Sequence, residues 1–137
     1  MRYDHSTYDV NLGIPAVDRD HRQLIDLMIR LQAQNWGASG PALIRATVDD
    51  LDHHLTHHFR REEMLMRLVG YPDAPRHQRS HVGLAVRLGE FQSMLRRNDF
   101  PHWRFHDFVT GPLLSHLLDE DADLKPWTDR LREPKAA

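Results

Sequence analysis

The stretch HFRREEMLMRLVGYPDAPRHQRSH, residues 58–81, decides the fold. It sets His58 and Glu62 four apart, turns at Gly70-Tyr71-Pro72, and sets His77 and His81 four apart. On a helix, side chains at i and i+4 share one face, so each pair can converge on a common ion without bending the backbone. Stepping outward from His58 by alternating fours and threes meets Ile44, Val48, Leu51, Leu55, Glu62, Leu65 and Val69. The same walk from His77 meets His81, Leu84, Leu88, Phe91 and Leu95. Both are apolar seams with polar residues set inside them. Isolated polar groups in such a seam are costly to bury unless they find partners, and a metal ion shared between helices partners all of them together.

Working outward, Pro41 suits a first helical turn and Gly70 a C-terminal cap, so a helix is predicted over 41–69. A second runs from about 75 to 97, where Asn98-Asp99-Phe100-Pro101 breaks it. Upstream, residues 1–17 hold no sustained period and contain Gly13 and Pro15; they read as an arm anchored by Tyr8, Leu12 and Ile14. Asp18 is the expected N-cap of a helix that carries His21, Leu24, Ile25, Met28 and Leu31 on one face and ends near Trp36-Gly37. The last helical region carries Phe105, Phe108, Val109, Leu113, Leu114, Leu117, Leu118, Asp121 and Leu124 and stops before Pro126. Gly111-Pro112 interrupts it, leaving two pieces or one kinked helix equally open. No two-residue alternation persists and no Asn-Gly or Asp-Gly turn occurs, so strands are not expected. The expectation is all-α: an up-down-up-down antiparallel four-helix bundle with an N-terminal arm. It forms one domain over 1–137, with the arm at 1–17 and the bundle at 18–131.

Composition narrows the chemistry. Net charge is -2, and the 18 basic residues form no run that could track a phosphate backbone, so nucleic acid is not an expected partner. There are no cysteines, which removes disulfides, thiolate-held zinc, iron–sulfur clusters and thiol nucleophiles. Met1 to Gly13 lacks the apolar stretch of a secretory signal, and no segment is apolar for long enough to span a bilayer. The default expectation is a cytoplasmic protein without membrane insertion. Against this plain background stand 11 histidines. Histidine is the commonest metal ligand.

Six of these histidines read as ordinary. His53, His54 and His57 miss the four-three rhythm of their helix, and His5, His102 and His106 lie in the arm or near a helix boundary, where a surface position is expected. His58, Glu62, His77 and His81 read as ligands. His21 joins them because a two-helix site would leave its apolar face with an unexplained imidazole. His116, flanked by Leu113 and Leu117, sits at the core margin. Its carboxylate partner is undecided: helical spacing favours Glu120 at i+4, whereas the apolar rhythm Leu114, Leu117, Asp121, Leu124 favours Asp121.

Together, Val17-Asp18-Arg19-Asp20-His21, His58-Phe59-Arg60-Arg61-Glu62-Glu63 with Met66, Gly70-Tyr71-Pro72, His77 with His81, and His116 with Asp121 resemble the hemerythrins, specifically single-domain bacteriohemerythrins. The resemblance runs from about Tyr8 to Leu124. It implies a non-haem di-iron centre: His77, His81 and His116 on one iron, His21 and His58 on the other, Glu62 and Asp121 bridging both. Asp121 is thereby preferred to Glu120. With an oxygen bridge, the three-histidine iron is six-coordinate and the other has one open position, which the resemblance assigns to dioxygen. Ile25, Phe59 and Leu113 are expected to line a dry pocket there. The chain departs from the family pattern at Pro112, where a Trp is usual, and in an arm Trp for which Tyr3 or Tyr8 stands in.

Imidazole-rich ligation suits first-row iron better than calcium or magnesium. Di-iron oxygenases of the bundle type repeat Glu-x-x-His, which occurs nowhere in this sequence. Binding is therefore expected over turnover: an oxygen carrier, store or sensor, with an oxygen-accepting or signalling partner left unidentified. The alternatives are a di-iron peroxidase or nitric-oxide-handling enzyme in the same bundle, an iron storage protein, or a structural zinc bundle. No output domain is fused here, so storage or delivery is expected over sensing.

Overall fold

The computed structural model describes residues 12–33 and 40–132. The expectations placed on His5, Tyr8, the Tyr3 stand-in and the helix end at Trp36-Gly37 lie outside them. Four helical segments follow one another with no strand among the described residues: α1 (Pro15–Ala33), α2 (Pro41–Val69), α3 (Ala74–Arg96) and a fourth that opens with α4 (His102–Phe108). No helix among them is long and apolar enough to cross a membrane.

Local chemistry explains the boundaries. Pro41 occupies the first turn of α2, where its missing N–H costs nothing. At the other end Gly70 takes φ 67°, a left-handed conformation that glycine adopts freely. The Tyr71 N–H then reaches back to the Met66 carbonyl at 2.9 Å, closing the helix end and reversing the chain into α3. Asn98, at φ 54°, ends α3 in the same way, with the Asp99 N–H donating to the Met94 carbonyl at 2.9 Å.

Two boundaries differ from expectation. Helix α1 begins at Pro15, inside the predicted arm. Asp18 is no N-cap; its carboxylate turns back to accept the N–H groups of Leu12 at 2.6 Å and Gly13 at 3.1 Å, satisfying amides of the incoming chain. Helical structure also does not stop before Pro126, because Lys125–Arg132 form α5, with the proline in a first turn that tolerates it. Thr128, fully buried, donates its hydroxyl to the Leu12 carbonyl at 3.2 Å and ties α5 to the entering chain.

The question left open at Gly111-Pro112 resolves as one helix with widened turns. After α4 the chain makes a π-helical turn over Val109–Leu113, a second over His116–Glu120 and a 3₁₀ turn over Ala122–Leu124. Backbone angles stay in the right-handed helical region at Phe108, Val109, Leu114 and Ser115, so the segment widens without breaking. A proline lacks the N–H of a regular turn and crowds the carbonyl four residues back; a wider turn accommodates both.

The core comes in two parts. A large apolar cluster gathers Leu24, Leu51, Leu55, Leu88, Phe105, Phe108 and Leu117, among others, and a smaller one gathers Leu12, Val17, Leu65, Met66 and Leu124. Between them along every helix lie buried polar residues. His21 falls between Val17 and Leu24, His58 and Glu62 between Leu55 and Leu65, and Asp121 between Leu117 and Leu124. The bundle is two apolar compartments separated by a polar layer.

Candidate metal centre

All seven residues expected at the centre meet in this layer: His21, His58, Glu62, His77, His81, His116 and Asp121, none more than 4% exposed. Each helix delivers its share by simple geometry. His58 and Glu62 face inward because they stand four apart on α2, and His77 and His81 do so on α3.

The fourth segment is different. In a regular α-helix residues five apart diverge by about 140°, so His116 and Asp121 would not share a face. Here the Asp121 N–H donates to the His116 carbonyl at 3.0 Å, an i to i+5 bond that closes a π turn. The wider turn brings both side chains inward, leaving Glu120 with its side chain 44% exposed. Asp121, not Glu120, therefore faces the layer.

The imidazoles approach through Nε2 and divide into two groups. Glu62 Oε1 lies 3.1 Å from His77 and 3.0 Å from His81, while Glu62 Oε2 lies 3.3 Å from His58 and 3.7 Å from His21. Asp121 Oδ1 lies 3.1 Å from His77 and 3.0 Å from His116, while Asp121 Oδ2 lies 3.0 Å from both His21 and His58. Each carboxylate thus presents one oxygen to a three-histidine group and the other to a two-histidine group.

The donor set fits two cations. Around an octahedral ion with bonds of about 2.1 Å, neighbouring donors stand about 3.0 Å apart, the spacing seen along most of these edges. Hydrogen bonding alone leaves the layer unsatisfied: Glu62 Oε2, Asp121 Oδ1 and His116 Nε2 are buried without a well-aligned partner. These atoms lie at hydrogen-bond distance but not along hydrogen-bond directions, as lone pairs aimed at a shared point do.

Electrostatics follow from the same contacts. Burial pushes the imidazoles of His21, His77 and His116 down, but Asp121 and Glu62 outweigh it and hold them up at about 9, about 9 and about 10 respectively. His58 is raised as well, against its burial, chiefly by the charge of Glu62. Burial pushes Glu62 up, yet His58 and the hydrogen-bonding imidazoles of His116 and His21 hold it well below the usual carboxylate range. Asp121 is lowered too, against burial and the charge of Glu62, by His116, His21 and His58. Cations entering this layer take the place of protons.

Behind the inner donors stand three carboxylates to which sequence reading gave no role as outer partners of the imidazoles. Glu63 lies 3.4 Å from Nδ1 of His81, Glu120 3.3 Å from Nδ1 of His116, and Asp20 3.7 Å from Nδ1 of His58. Asp20 is also gripped by Arg61 Nε at 2.9 Å. Their signal was adjacency, since each sits beside a layer residue in sequence. Phe59 stacks on His81 with ring centroids 4.0 Å apart and meets His116 edge-on at 5.7 Å. Ile25 and Leu113 are buried in the same apolar cluster as Phe59. His53 and His57 are exposed and His54 half-buried, as expected; His106 is exposed, whereas His102 is half-buried against Phe100 rather than on the surface.

This bundle and its polar layer are those of a known class: the model of the Hemerythrin HHE cation binding domain matches residues 12–128, and the chain belongs to the hemerythrin family. Within that family it is similar to the bacteriohemerythrin of Stenotrophomonas maltophilia, 25% identical over 113 residues, 82% of this chain and 73% of the relative. The bacteriohemerythrin of Pseudomonas aeruginosa is 24% identical over 114 residues, 83% of this chain and 74% of the relative. The crystal structure of a hemerythrin leucine-to-alanine mutant superposes with a TM-score of 0.79 at 20% identity, covering 93% of this chain and 96% of that one, which shows the shared fold.

Proposed function

We propose that the chain binds dioxygen reversibly at a non-haem di-iron centre. His77, His81 and His116 hold one iron, His21 and His58 the other, and Glu62 and Asp121 span both. Two ferrous ions held there supply the electrons with which dioxygen is taken up and returned. The observation that carries this reading is the division of both carboxylates, one oxygen toward three imidazoles and one toward two. Equal carboxylate shares with unequal imidazole shares leave the His21 and His58 side one donor short, a vacancy for a small ligand.

The protein's own part is to position and to exclude water. Phe59, stacked on His81, with Ile25 and Leu113 in the same buried apolar cluster, is the apolar surface that keeps water from carrying off a reduced form of the gas. Five imidazoles with only two carboxylates support binding over oxidative turnover. The deciding experiment loads the metal-free chain with ferrous iron under argon, counts the metal and follows absorption through cycles of air and vacuum. Two irons per chain and colour that appears in air and fades under vacuum are expected. Irreversible oxidation that consumes peroxide, or a centre that takes zinc but no iron, would overturn the proposal.

A further inference from the structure

The face of α2 opposite the centre carries a second arrangement of imidazoles. In Asp49-Asp50-Leu51-Asp52-His53-His54-Leu55-Thr56-His57, His53 and His57 stand four apart and both are exposed, while the next residue, His58, turns fully inward. The two exposed rings have centroids 4.5 Å apart and an interplanar angle of 71°. The buried pair His77 and His81, also four apart on one helix, has 4.6 Å and 83°. The outer pair thus repeats the spacing and ring crossing of a pair inside the metal centre.

We propose that His53 and His57 form a separate surface site for one borderline divalent cation: copper(II), nickel(II) or zinc(II). Two imidazoles one helical turn apart chelate such an ion with no change of backbone, and they sit mid-way along a helix that runs twelve residues further at each end. Little order is lost on binding, so the second imidazole adds its full chelate advantage. Nitrogen donors set the preference, copper(II) above nickel(II) and zinc(II), with ferrous iron weaker and calcium and magnesium excluded. Asp49, one turn before His53, adds negative charge on the same face, and its Oδ1 accepts a hydrogen bond from Gln92 at 3.1 Å. His54, half-buried and 5.8 Å from His53, is not needed for the chelate. With water filling the remaining positions, the site exchanges its ion readily with solution, unlike the sealed inner layer.

The test uses the full chain with its inner centre already saturated with ferrous iron, titrated with nickel(II) by calorimetry under argon. One further nickel per chain is expected. His53→Ala and His57→Ala should each weaken it about a hundredfold, with iron content unchanged. His54→Ala and His106→Ala, the latter removing an exposed imidazole elsewhere, should bind as wild type. The proposal is overturned by the absence of an extra equivalent, by wild-type binding in His53→Ala or His57→Ala, or by equal weakening in His106→Ala.

Discussion

Replacing Asp121 by Asn tests the register on which the centre depends. The carboxylate is wholly buried and lies within about 3 Å of four imidazoles, His77 and His116 on one oxygen, His21 and His58 on the other. Asn keeps the shape but removes the charge, and its NH₂ turns a donor toward one of the two pairs. Removing one partner from a buried charge pair costs about 3–5 kcal/mol. For a chain of this size that lowers the melting temperature of the metal-free protein by about 10–20 °C. Glu120→Gln is the control. That side chain is 44% exposed and meets the outer nitrogen of His116, so screening limits its loss to about 1 kcal/mol or less. The assay is paired: thermal melts followed by circular dichroism, and metal counting after ferrous loading. Asp121→Asn should melt early and hold less than one iron; Glu120→Gln should melt near wild type and hold two. The reverse pattern would mean that Glu120 faces the layer and that the π turn is absent.

Other outcomes follow from the same contacts. In metal-free protein the raised His21, His77 and His116 contribute stability that is fully present below about pH 6.5, the free imidazole value, and lost as pH climbs through about 9 to 10. Urea midpoints should therefore fall across that window without metal and stay level with it; a level apo profile would refute the assignment. His77→Ala should empty the three-histidine side and weaken the other through the shared carboxylates, read as iron content dropping below one per chain. His54→Ala should leave the visible spectrum of the loaded protein unchanged, and bleaching would place His54 among the ligands. Phe59→Ala removes the ring stacked on His81; it should cost about 3–5 kcal/mol of stability and shorten the lifetime of the oxygenated colour, measured as absorbance decay in air.

Much of this was legible because helices α2 and α3 follow local rules. Pro41, Gly70 and Asn98 mark turns by backbone chemistry alone, and the four-three rhythm assigns their inward faces without reference to neighbours. The legibility ends where tertiary contacts overrule local preference. Asp18 looks like a cap, yet the amides of Leu12 and Gly13 claim its carboxylate, so α1 starts earlier. Pro126 looks like a stop, yet the chain has just closed a 3₁₀ turn at Leu124, and a proline can open the next helix. The choice between Glu120 and Asp121 was least legible of all. Spacing rules assume 3.6 residues per turn, and only the apolar rhythm through Leu117 and Leu124, with the family resemblance, pointed to the residue that the widened turn brings inward.

That widened turn amounts to one supernumerary residue absorbed by the fourth segment, and its effect ends at the polar layer. Excising a single residue between Leu117 and Glu120 would restore a regular coil and still leave a carboxylate one turn after His116. Because five residues of a π turn and four of an α turn subtend nearly the same angle, everything beyond would keep its phase, with Leu124 in the smaller apolar compartment and Thr128 at the Leu12 carbonyl. The extra residue is taken up where it enters, so the inner donors and the latch that fastens the entering chain keep their alignment with or without it.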